Sequence, residues 1–188
     1  MVHDCRMHFP PRRVAVYLIL AAVGLAADLW TKAAVFDAMG LPGDRGAWWL
    51  IDGVLGIQTA VNLGAVFGIG QGKGLAFAAF SVVAIGGILV WLTRFGGFAS
   101  WFLTATLGMI TGGVLGNLYD RLSLWGPPEV YRSGVRDWIL FRLDGVPLFD
   151  PWPNFNLADS YLVVGAVLLF VYSWRNPGGD GNAEPAME

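Results

Sequence analysis

Thiol and imidazole chemistry are almost missing from this chain. In 188 residues there is one cysteine, Cys5, and two histidines, His3 and His8. A lone thiol closes no intrachain disulfide, and Cys5 precedes every apolar run, so it reads as incidental. Both histidines sit on the N-terminal arm, away from every other polar motif, which excludes a His-Glu zinc protease and a Ser-His-Asp triad. Charge is scarce as well: 14% of residues are Asp, Glu, Lys or Arg, where a soluble domain carries about a quarter. The formal net charge of -2 offers no basic patch, so no nucleic-acid partner is expected. No internal repeat of fixed period is visible.

What is present is apolar. Hydrophobic residues make up 55% of the chain, with 26 Gly and 9 Trp, and the mean hydropathy is +0.55. That balance points to a bilayer and to one membrane domain. Residues 1–13 form a short basic arm with Pro10 and Pro11. Apolar spans follow at about 14–36, 74–93, 98–119 and 157–174, each near the roughly 20 residues that cross a bilayer. The first could instead be a secretory signal peptide, with Leu25-Ala26-Ala27 as a poor cleavage site, but three more spans would then have no purpose. The turn Arg94-Phe95-Gly96-Gly97 is tight and makes the second and third spans antiparallel neighbours. In the loop at about 37–73, the stretch Val54–Asn62 is apolar and β-branched and predicts a small extramembrane sheet. The loop at about 121–156 is rich in Pro, Trp and charge. It carries a β-like run, Val135–Phe141, and is expected to fold back over the membrane surface. The tail 175–188 is Gly/Pro-rich and acidic, hence expected to be disordered. The fold class is therefore an all-α membrane protein of four helices with a small β-subdomain in the first long loop.

Four spans put both termini on one side and both long loops on the other. The leading arm holds Arg6, Arg12 and Arg13, with no further Lys or Arg before Lys32, which places the termini in the cytoplasm by the charge rule. Lys32, Arg121 and Arg136 then lie on the wrong side and must be retained for pairing. The same order collects Asp28, Lys32, Asn62, Asn117, Asp120, Arg121, Asp137, Asn156 and Asp159 on one side of the membrane. No histidine or thiol accompanies them, and Ser160 and Ser123 are the nearest hydroxyls. Two neighbouring carboxylates push one another's proton affinities apart. The ionised one can take a proton from water while the protonated one donates to a carbonyl oxygen. Such a pair hydrolyses a bond without a covalent intermediate.

Each feature also has a structural explanation. Asp28 and Lys32, spaced i, i+4, fit an ion pair on a helix. Asn117 to Arg121 could satisfy a helix end, and Asp159 could cap the fourth helix. Gly112, Gly113 and Gly116 fit close helix approach. Trp48, Trp49, Trp101, Trp125, Trp138 and Trp152 fit an interfacial belt.

Taken together, four segments resemble the motifs of the lipoprotein signal peptidases, the type II signal peptidases of bacteria. They are Asp28-Leu29-Trp30-Thr31-Lys32, Val61-Asn62-Leu63-Gly64-Ala65-Val66-Phe67-Gly68, Gly112 to Arg121, and Phe155-Asn156-Leu157-Ala158-Asp159-Ser160. The resemblance covers about residues 14–174. It implies a membrane aspartyl protease with a catalytic dyad of Asp159 and Asp137, the latter in Gly134-Val135-Arg136-Asp137-Trp138. There Arg136 stands where the family pattern has an apolar residue, Trp138 replaces Phe, and the segment from Trp125 to Ser133 looks inserted. Asp120 is the fallback for the second carboxylate. Asp28, Lys32, Asn62, Gly64, Asn117, Asp120, Arg121 and Asn156 would bind substrate or support the dyad. The resemblance further implies four transmembrane helices with an extracytoplasmic β-subdomain in the inner membrane, and a site near the outer face. The implied partners are diacylglyceryl-modified prolipoproteins, cut before the lipidated cysteine, and membrane lipids. No metal or cofactor and a monomeric state are expected. Two other readings compete: a Ser/Lys peptidase using Lys32 with Ser160 or another serine, and a small ion or proton-coupled transporter using the carboxylates. A third, a purely structural subunit, would tolerate loss of both aspartates.

Overall fold

The computed structural model describes residues 10–64, 70–146 and 152–176. Cys5, both histidines, residues 65–69, Asp150 and the expected disordered tail from residue 177 lie outside the described residues.

Four helices are long and apolar enough to cross a membrane: α1 (Pro11–Met39), α2 (Gly74–Arg94), α3 (Trp101–Arg121) and α4 (Leu157–Arg175). Helix α1 starts earlier than the apolar run because Pro11 occupies the first helical position, where its missing N–H is no loss. It also runs past the expected end to Gly40, whose left-handed φ of 79° stops it. Helix α3 begins at Trp101 rather than at residue 98. A short 3-10 turn, Gly97–Ala99, intervenes, and the Ser100 side chain accepts from Leu103 N–H as the N-cap. The Arg94–Gly97 turn closes through Gly96 at φ 73°, so α2 and α3 are antiparallel neighbours as expected.

Helix α3 is the centre of the bundle and touches the other three helices. Inside the protein, 56% of its apolar window is buried, against 22% for α1 and 11% for each of α2 and α4, so the outer three present most of their surface to lipid. Glycines let the axes approach. A Cβ on Gly112 would lie 2.8 Å from the Ala21 carbonyl oxygen, one on Gly113 would lie 2.7 Å from that of Ala158, and one on Gly116 would run into the Asp28 carboxylate. At the end of the bundle near the termini, Tyr17, Leu92, Phe98 and Leu107 form an apolar core. Tyr17 there shares a 3.0 Å hydrogen bond with Thr111, and Arg13 donates to the Phe98 carbonyl.

Three strands make one antiparallel sheet in the order β1 (Trp48–Ile51), β2 (Leu55–Asn62), β3 (Val135–Phe141). The first long loop supplies β1 and β2. The third strand comes from the second long loop, so the subdomain belongs to both. β2 and β3 pair with Ala60 opposite Asp137 and Asn62 opposite Val135. Phe155 then bridges to Ile139 on the free edge of β3, with Ile139 N–H donating to Phe155 O at 2.8 Å. That bridge delivers Asn156 and the start of α4 to the flank of Asp137.

Candidate active site

The site forms where the far half of α1, the end of α3, the start of α4 and β3 meet. Lys32, fully buried, spends its three ammonium protons on Asp28 Oδ2 at 2.7 Å, Asn117 Oδ1 at 3.0 Å and Asp120 Oδ2 at 3.2 Å. The i, i+4 ion pair is therefore real, and it also reaches two other elements. Asp28 Oδ1 accepts from the backbone N–H of Ala158 at 3.0 Å. A carboxylate at the first turn of a helix is favoured by the unpaired N–H groups there, so α1 holds α4 in place by its N-terminus.

Asp120 is saturated. Besides Lys32, it accepts from Arg136 Nη2 at 2.8 Å, Arg136 Nε at 3.1 Å and Arg136 N at 3.0 Å. With two cations and a main-chain donor on a fully buried carboxylate, Asp120 has no oxygen turned to a substrate. The helix end needs no help from these side chains, because Leu122 N–H returns to Leu118 O at 3.0 Å and Ser123 N–H to Asp120 O at 2.8 Å. Arg121 instead spans outward, donating to the carbonyls of Asn62 (3.0 Å), Ser133 (2.9 Å) and Gly64. It fastens both long loops to α3, and Phe77 of α2 lies under its guanidinium at 5.2 Å.

Asp137 and Asp159 are held differently, by amides. Asn156 is the N-cap of α4. Its Oδ1 accepts from Asp159 N at 2.9 Å while Asp159 Oδ2 accepts from Asn156 N at 3.2 Å, a reciprocal capping box. Asp159 is thus the N3 residue rather than the cap itself. The Asn156 Nδ2 group donates to Asp137 Oδ1 at 2.7 Å and to Asn117 Oδ1 at 3.1 Å. Asn117 Nδ2 in turn donates to Asp159 Oδ1 at 2.8 Å. Asn62, whose Oδ1 accepts from Gly64 N–H at 3.0 Å, completes the ring with a side-chain hydrogen bond to Asp137. Burial first, and then the negative charge of Asp159, push the Asp137 carboxyl well above the usual carboxylate range. The charge of Lys32 and the hydrogen bonds from Asn156 and Asn62 pull less strongly the other way.

All ten residues expected from the sequence lie in this one cluster or in its ties to the loops. Arg136 was not among them. Its sequence signal is that of a cation on the loop side that the charge rule leaves to be retained for pairing, and it is the second counter-ion of Asp120. Lys32, Arg121 and Arg136, the cations expected to be retained for pairing, are each engaged by side-chain or carbonyl acceptors. Ser160 Oγ donates to Asn156 O at 3.0 Å and Ser123 Oγ accepts from Ser133 N at 2.9 Å, so neither is bonded to Lys32. Trp48 and Trp101 are exposed as a belt requires, whereas Trp125 packs edge-on to Phe36 at 6.0 Å and under Arg136. Among the described residues, no three His, Cys, Asp or Glu side chains are grouped to hold a metal ion.

Fold and site define a multi-pass membrane protein with one carboxylate-centred polar site at one end of a four-helix bundle. The Signal peptidase (SPase) II family model matches residues 20–175, and the chain belongs to that family. A lipoprotein signal peptidase of Rhodopirellula baltica is 51% identical over 185 residues, covering 94% of this chain and 82% of the relative. One from Geobacillus thermodenitrificans is 36% identical over 160 residues, covering 85% of this chain and 90% of the relative. Among solved structures, a bacterial membrane enzyme superposes with a TM-score of 0.71 at 22% identity, over 97% of this chain and 98% of the other. That likeness is one of fold.

Proposed function

We propose that this chain is a lipoprotein signal peptidase of the aspartyl type, which removes the signal peptide from diacylglyceryl-modified prolipoproteins by cutting before the lipidated cysteine. The observation that carries the catalytic type is the bridge through Asn156, which contacts Asp137 at 2.7 Å with its amide and Asp159 at 3.2 Å with its backbone N–H. Two adjacent carboxylates share a single proton more readily than they carry two charges. Asp137, the more deeply buried, holds the proton. Asp159, half-buried at the N-terminus of α4, carries the charge, which the helix end favours.

Hydrolysis follows from that pairing. Asp159 takes a proton from water as the oxygen attacks the carbonyl carbon preceding the cysteine, while Asp137 gives its proton to the carbonyl oxygen. The resulting gem-diol collapses: Asp137 regains a proton from one hydroxyl, Asp159 delivers its proton to the departing cysteine nitrogen, and the C–N bond breaks. No covalent enzyme intermediate forms, and both carboxyls return to their starting states. Lys32, Asn62, Asn117, Arg121 and Asn156 hold the carboxyls and the loops in register.

Arg6, Arg12 and Arg13 at the N-terminal end support a cytoplasmic location for both termini by the charge rule. The site then lies near the outer membrane face, within reach of a signal helix and of a lipid whose acyl chains remain in the bilayer. Cleavage of a diacylated and a non-lipidated prolipoprotein by wild type and by Asp159→Asn tests the proposal. Wild type should cut only the lipidated substrate, and Asp159→Asn should cut neither. Equal cutting of both substrates refutes the lipid requirement, and cutting by Asp159→Asn refutes the dyad.

A further inference from the structure

Asn117 and Asp120 lie three residues apart on α3 and therefore on one face, about one helical turn apart. Asn117 holds Asp159 at 2.8 Å. Asp120 holds not the partner carboxyl but the residue before it, taking both the guanidinium of Arg136 (2.8 and 3.1 Å) and its main-chain N–H (3.0 Å). Side chains alternate across a strand, so Arg136 leaves β3 on the face opposite Asp137. The Trp125 ring lies 5.1 Å from the guanidinium, and Arg136 is 5% exposed, so it has little room to swing away.

We infer that Arg136 is a positioning residue for the cleavage reaction: clamped on Asp120, it fixes the height and rotation of β3 on α3 and so sets where Asp137 stands relative to Asp159. The inference rests on the dyad reading above. With an apolar residue at 136, the main-chain N–H would be the only tie from that position to Asp120. A guanidinium adds two charge-assisted donors, Nε and Nη2 on Asp120 Oδ1, to the main-chain N–H on Oδ2, so both carboxylate oxygens are engaged and β3 is tied to α3 through three bonds.

Arg136 also balances charge. Asp28 and Asp120 face Lys32 and Arg136, two of each sign. Without Arg136 that cluster carries one uncompensated negative charge beside β3. The groups that face Asp137 are Lys32 from α1, Arg121 from α3, Asp159 from α4, and the uncharged Asn62 of β2 and Asn156. An added negative charge behind them favours the protonated dyad, so the pH–rate profile should move to higher pH.

The test is steady-state cleavage of a diacylated prolipoprotein by the full chain in lipid bicelles, for wild type, Arg136→Leu and Arg136→Lys across pH, with the folded fraction of each measured by thermal unfolding. Arg136→Leu should lose about tenfold or more in kcat with KM changed by less than about twofold, and its profile should shift upward in pH. Arg136→Lys, which keeps charge but not the two-nitrogen contact, should restore the profile while recovering kcat only in part. A wild-type kcat and pH profile in Arg136→Leu would overturn the inference. So would a loss that vanishes when activity is scaled to folded enzyme. Asp137→Asn and Asp159→Asn are assayed alongside. If they cleave, the dyad reading fails. If they are dead and Arg136→Leu is unaffected, only the positioning role fails.

Discussion

Four carboxylates crowd one end of the bundle, and they are held in two ways. Asp28 and Asp120 form an ionic layer, in direct contact with Lys32 and Arg136 at 2.7 to 3.2 Å. Asp137 and Asp159 form an amide layer, reached by Asn117 and Asn156 at 2.7 to 3.2 Å and by Asn62. A carboxylate gripped by a buried cation is a structural anchor, since removing its proton-free form would leave the cation unpaired. A carboxyl held by amides keeps its place in either protonation state, because an amide bond survives the arrival of a proton on the other oxygen. The first arrangement suits rigidity, and the second suits proton transfer. Lys32 and Asn117 join the layers, so the anchor and the moving proton share a wall.

Substitutions on each side should separate the two roles, and the largest effect is expected in the ionic layer. Lys32→Ala leaves Asp28 without a cation, and losing one member of a buried pair costs about 3–5 kcal/mol. The expected result is a steep fall in thermal stability and folded yield in detergent; unchanged unfolding would show that the layer is not an anchor. Next is Asn156→Ala, which removes the bridge between the dyad members and the cap of α4. It should lower kcat by about 100-fold through misplacement and stability by only about 1 kcal/mol, measured by single-turnover cleavage and thermal unfolding of the same preparation. Gly116→Ala drives a methyl toward the Asp28 carboxylate and should cost about 1–3 kcal/mol of stability. Its cleavage per folded molecule should fall less than that of Asn156→Ala.

The smallest effect is one of pH. Asp137 binds its proton more tightly in the folded chain than an ordinary carboxyl does. The native state therefore holds more protons than the unfolded chain as pH rises from the ordinary carboxylate value to the raised one, and wild-type stability falls through that window. Asp137→Asn lacks the penalty. Its Tm relative to wild type should rise with pH across the window and level off above it; a difference independent of pH would show that Asp137 is not strained toward its neutral form.

Much of this end of the molecule is legible in the sequence. Alternating spans force residues 28–32, 117–121 and 156–159 to one end regardless of packing detail, so convergence followed from topology alone. The helix ends are less legible, because α1 continues to Met39 after hydrophobicity has stopped signalling and the Ser100 N-cap starts α3 inside the apolar run rather than at its first residue. The third strand is visible as a β-like run at 135–141, but its pairing with β2 is a long-range contact that no local pattern carries. The division between Asp120 and Asp137 was the least legible point. Both are acids beside an arginine in sequence, and only the fold reveals that Arg136 turns its charge on Asp120, across the strand from its neighbour Asp137.

Single-turnover cleavage of the diacylated substrate by Asp137→Asn and Asp120→Asn, each scaled to folded enzyme, sets the two layers against each other most directly. Asp137→Asn should be folded, at least as stable as wild type near neutral pH, and inactive. Asp120→Asn should be destabilised yet should still cleave per folded molecule, at about the tenfold reduced rate expected of Arg136→Leu because it loosens the same clamp. A folded Asp120→Asn that cannot cut, beside an Asp137→Asn that cuts at a near-normal rate, would contradict the account and move the second catalytic carboxyl to α3.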